Sequence, residues 1–337
     1  MDGTAARHHA TLMAVARGYQ RSQALAVAAE LGIADLLTGP RPVVDLAAAT
    51  GTDVTALYRL LRSLASIGVF HEDDEQRFSL TAMGHLLRRD HPWSIDPAVR
   101  MFCADYQWRA WGELGYSVRT GGNALVHTLG TDVWEHRRRD PAQGELFDAA
   151  MRTMATSYAP GVLAAHDFGA YSVVADVGGG TGAMLAAILA AHPDLHGILA
   201  EQPEVLPRAA RQLDAAGVAD RVRLVECDFF DDVPTGADAY VMLRVLHDWP
   251  DDAAAQILRH VRAATGPTAR LLVVEAVVGP PNEDPQTAFL DLMMLVSAGG
   301  RERTEPEWRD LLATAGFRVA GIVPAGPGRS VIEAVPA

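Results

Sequence analysis

The spacing of apolar positions changes twice along this chain, and the changes mark out three stretches. From Ala24 to Leu37 apolar residues recur at helical spacing until Gly39-Pro40 stops the run. Asp45 to Ala49 predicts a short second helix before Gly51. Thr52 reads as the cap of a third, which runs through Leu57, Leu60, Leu61 and Leu64 to Gly68. Val69-Phe70, a charged turn from Glu72 to Gln76, and Phe78-Ser79-Leu80 then read as a small β-wing. Three helices followed by a wing is a winged-helix pattern, here over residues 1–90. Residues 91–165 mix helix and loop and carry Trp93, Trp108, Trp111 and Trp134.

At Ser172 the pattern turns to short β-branched runs alternating with Ala-rich helical stretches. The runs are Val173–Val177, Gly197–Ala200, Arg221–Glu226, Ala239–Leu243 and Arg270–Val274. A closing pair, Phe317–Val323 and Ser330–Val335, surrounds a turn at 324–328. This alternation predicts a Rossmann-like, doubly wound α/β sheet over residues 166–337, parallel until an antiparallel last hairpin.

In such a sheet ligands bind beyond the carboxyl ends of the strands, and those positions can be read directly. After the first strand comes Asp176-Val177-Gly178-Gly179-Gly180-Thr181-Gly182, opening a helix over Ala183–Ala191. Glycines let the backbone approach a ligand and leave helix N-terminal amides open to an anionic group. Gly178, Gly180 and Ala183 also satisfy the dinucleotide fingerprint, so a nicotinamide enzyme stands beside other nucleotide readings here. The second strand ends in Glu201, suited to two ribose hydroxyls under either reading. After the third come Asp228, placed to accept from an adenine amino group, and Phe229, placed to pack on the ring. A dinucleotide gains nothing evident from this second carboxylate. After the fourth come Arg244 and then His247-Asp248-Trp249-Pro250, with Asp248 reading as a helix cap. Glu275 follows the fifth. Five successive strand ends thus offer a glycine loop, a ribose acid, an adenine acid, a base and a further acid.

Composition narrows the class. The 337 residues are 49% hydrophobic and 21% charged, enough for a sizeable core, with a net charge of −13. That charge argues against a phosphate backbone or an anionic membrane as the main partner. It leaves the N-terminal pattern, with only Arg59 and Arg62 on its third helix, as a dimerisation module ahead of a DNA reader. Two cysteines, Cys103 and Cys227, make neither a disulfide framework nor a cysteine zinc site. No clustered Cys/His spacing of a metal site occurs, so no metal is expected. The start, Met1-Asp2-Gly3-Thr4, lacks the basic and apolar segments of a signal peptide, and no apolar run spans a bilayer. The expectation is a cytoplasmic enzyme.

Asp176–Gly182, Cys227–Phe229, Leu246–Pro250 and Gly299-Gly300-Arg301-Glu302-Arg303-Thr304 together resemble the S-adenosylmethionine-dependent O-methyltransferases of the caffeic-acid type, whose bacterial relatives modify aromatic natural products. The resemblance runs from about residue 20 to the C-terminus and implies a class I methyltransferase fold behind a winged-helix dimerisation domain. It implies a homodimer acting on a hydroxyl of a small aromatic molecule, with S-adenosylmethionine consumed and S-adenosylhomocysteine released. By position His247 matches the general base, and Glu275 and Glu302 match the acids flanking it. Gly178, Gly180, Glu201, Asp228, Phe229 and Arg244 fall at or beside cofactor positions, Glu201 standing where plant enzymes usually have Asp. Phe147 and Met151 resemble residues that clamp the acceptor ring, and Met101 and Met294 are assigned to the same pocket. Leu243 departs from the pattern, since relatives often carry Lys or Ser there. Hydroxylation or a pericyclic reaction on the same scaffold, and N- or C-methylation, are the alternatives to O-methyl transfer.

Overall fold

The computed structural model describes residues 3–337. Its first helix, α1 (Gly3–Ala16), buries none of its residues. The helix expected over Ala24–Leu37 is instead two, α2 (Gly18–Glu30) and α3 (Ile33–Leu36), because Gly32 between them is left-handed at φ 65°. β1 (Arg41–Pro42), α4 (Val43–Thr50), α5 (Val54–Ala65), β2 (Phe70–Glu72) and β3 (Arg77–Leu80) follow. The cap of α5 is Asp53, not Thr52: its carboxylate accepts the Ala56 N–H at 2.8 Å, while the Thr52 hydroxyl pairs with Thr50. The wing has the two expected strands, and β1 adds a third by pairing Arg41 with Phe78. Leu57, Leu61 and Leu64 of α5 recur on one face and close over Ile33, Leu46 and Phe78.

α6 (Ala82–His85), α7 (Asp96–Phe102), α8 (Asp105–Gly112), α9 (Leu114–Thr120), α10 (Ala124–Leu129), α11 (Val133–Arg139) and the 25-residue α12 (Pro141–Ala165) lead to the sheet. The chain divides into two compact units. One holds the chain up to Gln107 with Glu145–Thr153, and the other holds Trp108–Gly144 with Met154–Ala337.

The second unit begins its sheet with β4 (Val173–Val177), α13 (Ala183–Ala191), β5 (His196–Glu201), α14 (Leu206–Ala215) and β6 (Val222–Glu226). β7 (Ala239–Leu243), α15 (Asp251–Ala264), β8 (Arg270–Glu275), the two-residue β9 (Val277–Val278) and α16 (Pro285–Met293) come next. β10 (Arg303–Thr304), α17 (Glu305–Thr314), β11 (Phe317–Pro324) and β12 (Ser330–Pro336) complete it. Among the described residues seven strands join in the order β11-β12-β8-β7-β4-β5-β6. β4 to β8 run parallel and the β11–β12 hairpin is antiparallel, as the sequence pattern predicts. Ile257, Leu258 and Trp308 cover one face; Val162, Ile188 and Leu189 cover the other. Burial on both sides explains why β8 reads as a continuous apolar run, Leu271 to Val274, without alternation. Strand order reverses at β4, between β5 and β7, and this switch point opens the crevice in which α/β proteins bind ligands. Among the described residues no helix is long and apolar enough to cross a membrane.

Gly161 lets α12 lie directly on the β11–β12 turn: an added Cβ would overlap the Ala325 carbonyl. A glycine-to-alanine change inside a helix ordinarily gains up to about 1 kcal/mol. Here the overlap reverses the sign, and Gly161→Ala should lower stability by about 1–3 kcal/mol in denaturant unfolding. An unchanged or raised midpoint would show that the turn yields freely.

Candidate active site

The glycine loop after β4 depends on conformations that side chains avoid. Gly178, Gly180 and Gly182 have φ of 67°, 58° and 78°. Gly179 needs its missing Cβ for a different reason, because one there would collide with the Asp176 and Leu199 side chains. A Cβ at Gly178 would stand 3.0 Å from Val245 and 3.4 Å from the Phe229 ring, whereas one at Gly180 would meet nothing within 4 Å. Three strand ends therefore meet at Gly178, and Gly180 faces open space. Beneath the loop Asp176 is buried, and burial pushes its carboxyl up to about 7.

Glu201 ends β5, half-buried, and Asp228 follows β6 on the adjoining strand, exposed. Asp228 Oδ1 accepts the Phe230 N–H at 2.9 Å, which turns the chain so that Phe229 lies toward Gly178. Phe229, Phe230 and Trp249 make an aromatic wall with centroids 4.7–6.1 Å apart, and Trp134 of α11 stacks on Trp249 at 6.0 Å.

The buried histidine lies one strand over. β7 ends at Leu243, and Arg244 adopts a left-handed φ of 55°, an uncommon conformation for a long side chain. Its Nη1 lies 2.7 Å from Met154 Sδ. The chain then makes a 3₁₀ turn over Leu246–Asp248 that buries His247 to 2% exposure. His247 Nδ1 is 2.6 Å from Glu302 Oε1 and 3.7 Å from Glu275 Oε2. Its backbone N–H reaches Glu275 Oε1 at 3.3 Å. Both glutamates are buried, at 0% and 2% exposure. On the other ring nitrogen, Nε2 is 3.7 Å from Asp248 Oδ1.

A carboxylate only accepts, so Nδ1 carries the proton shared with Glu302, and Nε2 keeps its lone pair. Burial is the largest influence on the ring and pulls its pKa down, but Glu275, Asp248 and Glu302 outweigh it and hold it above the ordinary value. Burial likewise pushes the carboxyl groups of Glu275 and Asp248 up. Donor atoms of His247, Glu275 and Glu302 lie within 4.8 Å of one another. Two ligands of a single ion at about 2.1 Å stand roughly 3 Å or more apart, so the 2.6 Å contact is a hydrogen bond.

The structure thus joins His247 to Glu275 and Glu302, and Gly178 to Phe229. Glu302 has no trace of the solvated loop acid that its sequence context also permits. Met294 is buried where a wide π turn, Met294–Ala298, follows α16 and packs on α9 and α10. Met101 in α7 is buried, and Phe147 and Met151 sit half-buried one turn apart on α12. These three belong to the other compact unit. One expectation is corrected: Asp248 caps no helix. Pro250 precedes α15, and the Asp248 carboxylate instead lies toward the histidine. Thr304 and Glu307 form a capping box at the start of α17.

The sequence reading passed over three contributors. Asp291 Oδ1 accepts the Glu302 N–H at 2.8 Å. Gly300 packs so tightly on the 247–249 backbone that a Cβ would overlap it. Arg303, fully buried, grips the same backbone. The only signal for Gly300 and Arg303 was their place beside Glu302 in the Gly299–Thr304 motif, and Asp291 carried none.

Comparison with known proteins agrees with this geometry. Residues 111–318 match the O-methyltransferase domain, and residues 13–90 match the O-methyltransferase dimerisation domain. The chain is 40% identical to the mitomycin biosynthesis 6-O-methyltransferase of Streptomyces lavendulae, over 97% of this chain and 94% of that one. It is 39% identical to a phenazine O-methyltransferase of Lysobacter antibioticus, over 96% and 95%. An O-methyltransferase from neocarzinostatin biosynthesis, crystallised with S-adenosylmethionine and 2-hydroxy-5-methyl naphthoic acid, superposes with a TM-score of 0.80 at 35% identity, covering 94% of this chain and 96% of that one. With glycine loop, buried histidine and both domains in place, the chain belongs to the O-methyltransferase family.

Proposed function

We propose that this enzyme moves a methyl group from S-adenosylmethionine to a hydroxyl of a small aromatic natural product, with His247 as general base. One observation carries the reading. A buried imidazole, bonded to Glu302 at 2.6 Å, stands two residues beyond Val245, which packs against Gly178 of the glycine loop. That contact couples the base to the nucleotide crevice. The hydroxylated aromatic bound by the neocarzinostatin relative supports the same class of acceptor.

The crevice fits the donor. Glu201 and Asp228 offer two acceptor carboxylates on adjoining strands, as a ribose and an adenine amino group require, and Phe229 offers an aromatic face. When bound, S-adenosylmethionine supplies a methyl group on a sulfonium, electrophilic without further activation. The chain's own residues then have to exclude water, align the acceptor and take one proton. A phenol of pKa near 10 is ionised to roughly one part in a thousand at neutral pH. His247 Nε2 accepts that proton, and Glu302 and Glu275 stabilise the imidazolium from the Nδ1 side. Arg244, whose Nη1 is on Met154 Sδ, and Glu201 belong to the cofactor side of this reading. Met101, Phe147, Met151 and Met294 belong to the acceptor side.

The division of labour follows. Residues 1–90 dimerise, 91–165 supply the acceptor segment, and 166–337 bind cofactor. The apolar stretches Leu25–Leu37 and Leu57–Val69 are largely consumed by the unit's own core. Large apolar residues are more exposed on α1, where Leu12 and Val15 are 70% and 72% exposed. A homodimer using that surface suits the dimerisation-domain match. The acidic charge fits a cytoplasmic enzyme without nucleic-acid or membrane partners.

Five outcomes are expected. Leu12→Asp combined with Val15→Asp should convert a dimer into monomers in light scattering at micromolar concentration, and a wild type already monomeric there would sink the dimer. Asp228→Ala should weaken S-adenosylhomocysteine binding in calorimetry by roughly 1.5–3 kcal/mol, with no tight NAD binding by either protein. His247→Ala should cost about two to four orders of magnitude in rate with cofactor affinity nearly intact, the loss shrinking for acidic phenols that arrive ionised. Because the ring must be neutral to act and its pKa is raised, the wild-type rate should climb through an inflection above about 6.5. Glu302→Gln removes one raising influence and should move that inflection to lower pH. Equal loss across phenols of graded pKa would make His247 a positioning group.

A further inference from the structure

The turn that carries His247 is poorly held by itself. Its closing hydrogen bonds, Asp248 N–H to Val245 and Trp249 N–H to Leu246, measure 3.3 and 3.4 Å, beyond the usual range for backbone pairs. The residue entering it, Arg244, is left-handed. A three-residue 3₁₀ turn has no further rungs to lean on. Something outside the turn must hold it.

That support comes from the segment between the π turn and α17. Gly300 lies against the 247–249 backbone. The Arg301 N–H donates to the His247 carbonyl at 2.9 Å. Arg303 does the rest with one guanidinium. Its Nη1 donates to the Leu246 carbonyl at 3.0 Å, just before His247, and its Nη2 to the Trp249 carbonyl at 2.9 Å, two residues after it. Nε donates to Asp251 Oδ1 at 2.8 Å, the first residue of α15. The planar group lies over the Trp308 ring at 5.1 Å, and Trp308 is itself fixed by its Nε1–H to the Ala276 carbonyl at 3.1 Å. β10 pairs Arg303 with Val277, two residues beyond Glu275. One side chain is thus tied to both ends of the histidine turn, while its sequence neighbour Glu302 holds the ring.

We propose that Arg303 is a positioning residue for the methyl transfer: its guanidinium clamps the Leu246–Asp248 turn so that His247 Nδ1 stays on Glu302 and Nε2 stays turned to the acceptor. This rests on the reading of His247 as base. Lysine is no substitute, because a single ammonium cannot meet two carbonyls and a carboxylate with the geometry of a planar fork. Asp251 supplies charge balance from a side chain 58% exposed, so the two carbonyl bonds make the clamp and the ion pair assists it.

The groups facing His247 are Glu275 on β8, Glu302 on the strap and Asp248 in its own turn, all carboxylates that raise its pKa. Releasing the turn lengthens the Nδ1–Glu302 bond and removes part of that influence. Arg303→Met should therefore lower the pKa of the His247 ring, read by NMR titration with S-adenosylhomocysteine bound and assigned against His247→Asn. It should also lower kcat by roughly ten- to a hundredfold with acceptor KM little changed, the scale expected for about 1 Å of misplacement. Arg303→Lys should fall between the two, and Asp251→Ala should leave the ring pKa near wild type. An unmoved ring pKa in folded Arg303→Met, with activity lost only in proportion to unfolded protein, overturns the proposal. If Arg303→Met does not fold, Arg303→Gln and Arg303→Lys carry the same criterion. Because the NMR readout does not depend on turnover, a lowered pKa alongside a fully active His247→Ala would retain the clamp and reject the base.

Discussion

A carboxylate held 2.6 Å from an imidazole, both away from water, is the constraint around which the catalytic unit is arranged. Such a pair gives up the hydration of its charges, and geometry has to return what solvent would have supplied. Each partner is accordingly fixed from a separate direction. The Glu302 backbone N–H donates to the Asp291 carboxylate, Glu275 is immobilised at the buried end of β8, and the histidine turn is bracketed by Arg303 and Gly300. Apolar packing brings these segments together. Directional bonds then select one arrangement among the many that packing alone would allow.

Much of this was legible because the chemistry is concentrated at strand ends. β4 and α13 start and stop where the hydrophobic period puts them, since both are buried against the same layer and neither has a competing local signal. Glycines that need φ near 60–80° announce themselves, and so does a carboxylate after each of two adjoining strands. Periodicity misled where a neighbouring residue or a tertiary contact was better placed. Thr52 was a reasonable cap until Asp53, one residue on, proved better placed to reach the first turn. Asp248 had the sequence context of a cap, but the turn through Leu246–Asp248 leaves its carboxylate beside the imidazole. Gly32 broke a helix that periodicity alone would have continued. β1, two residues long, carries no periodicity at all and exists only because β3 offers it an edge.

Arg303 illustrates the harder limit. An arginine between Glu302 and Thr304 reads as one more exposed cation in a charged segment, and its burial becomes evident only with Trp308 beneath it and two carbonyls facing it. The proposed acceptor residues are legible least, because Met101, Phe147, Met151 and Met294 are ordinary apolar residues from three separate parts of the chain. Nothing in their spacing separates a pocket lining from a core.

The closed side of the imidazole has a consequence for traffic. Behind Nδ1 stand two glutamates at 0% and 2% exposure. Under the proposed mechanism a proton taken at Nε2 must leave through Nε2, past the half-buried Asp248. Entry and exit share one door, and the methylated product stands in it. On that mechanism the order of resetting is fixed: product departs, water enters, the ring discharges, and only afterwards is the site ready for another acceptor.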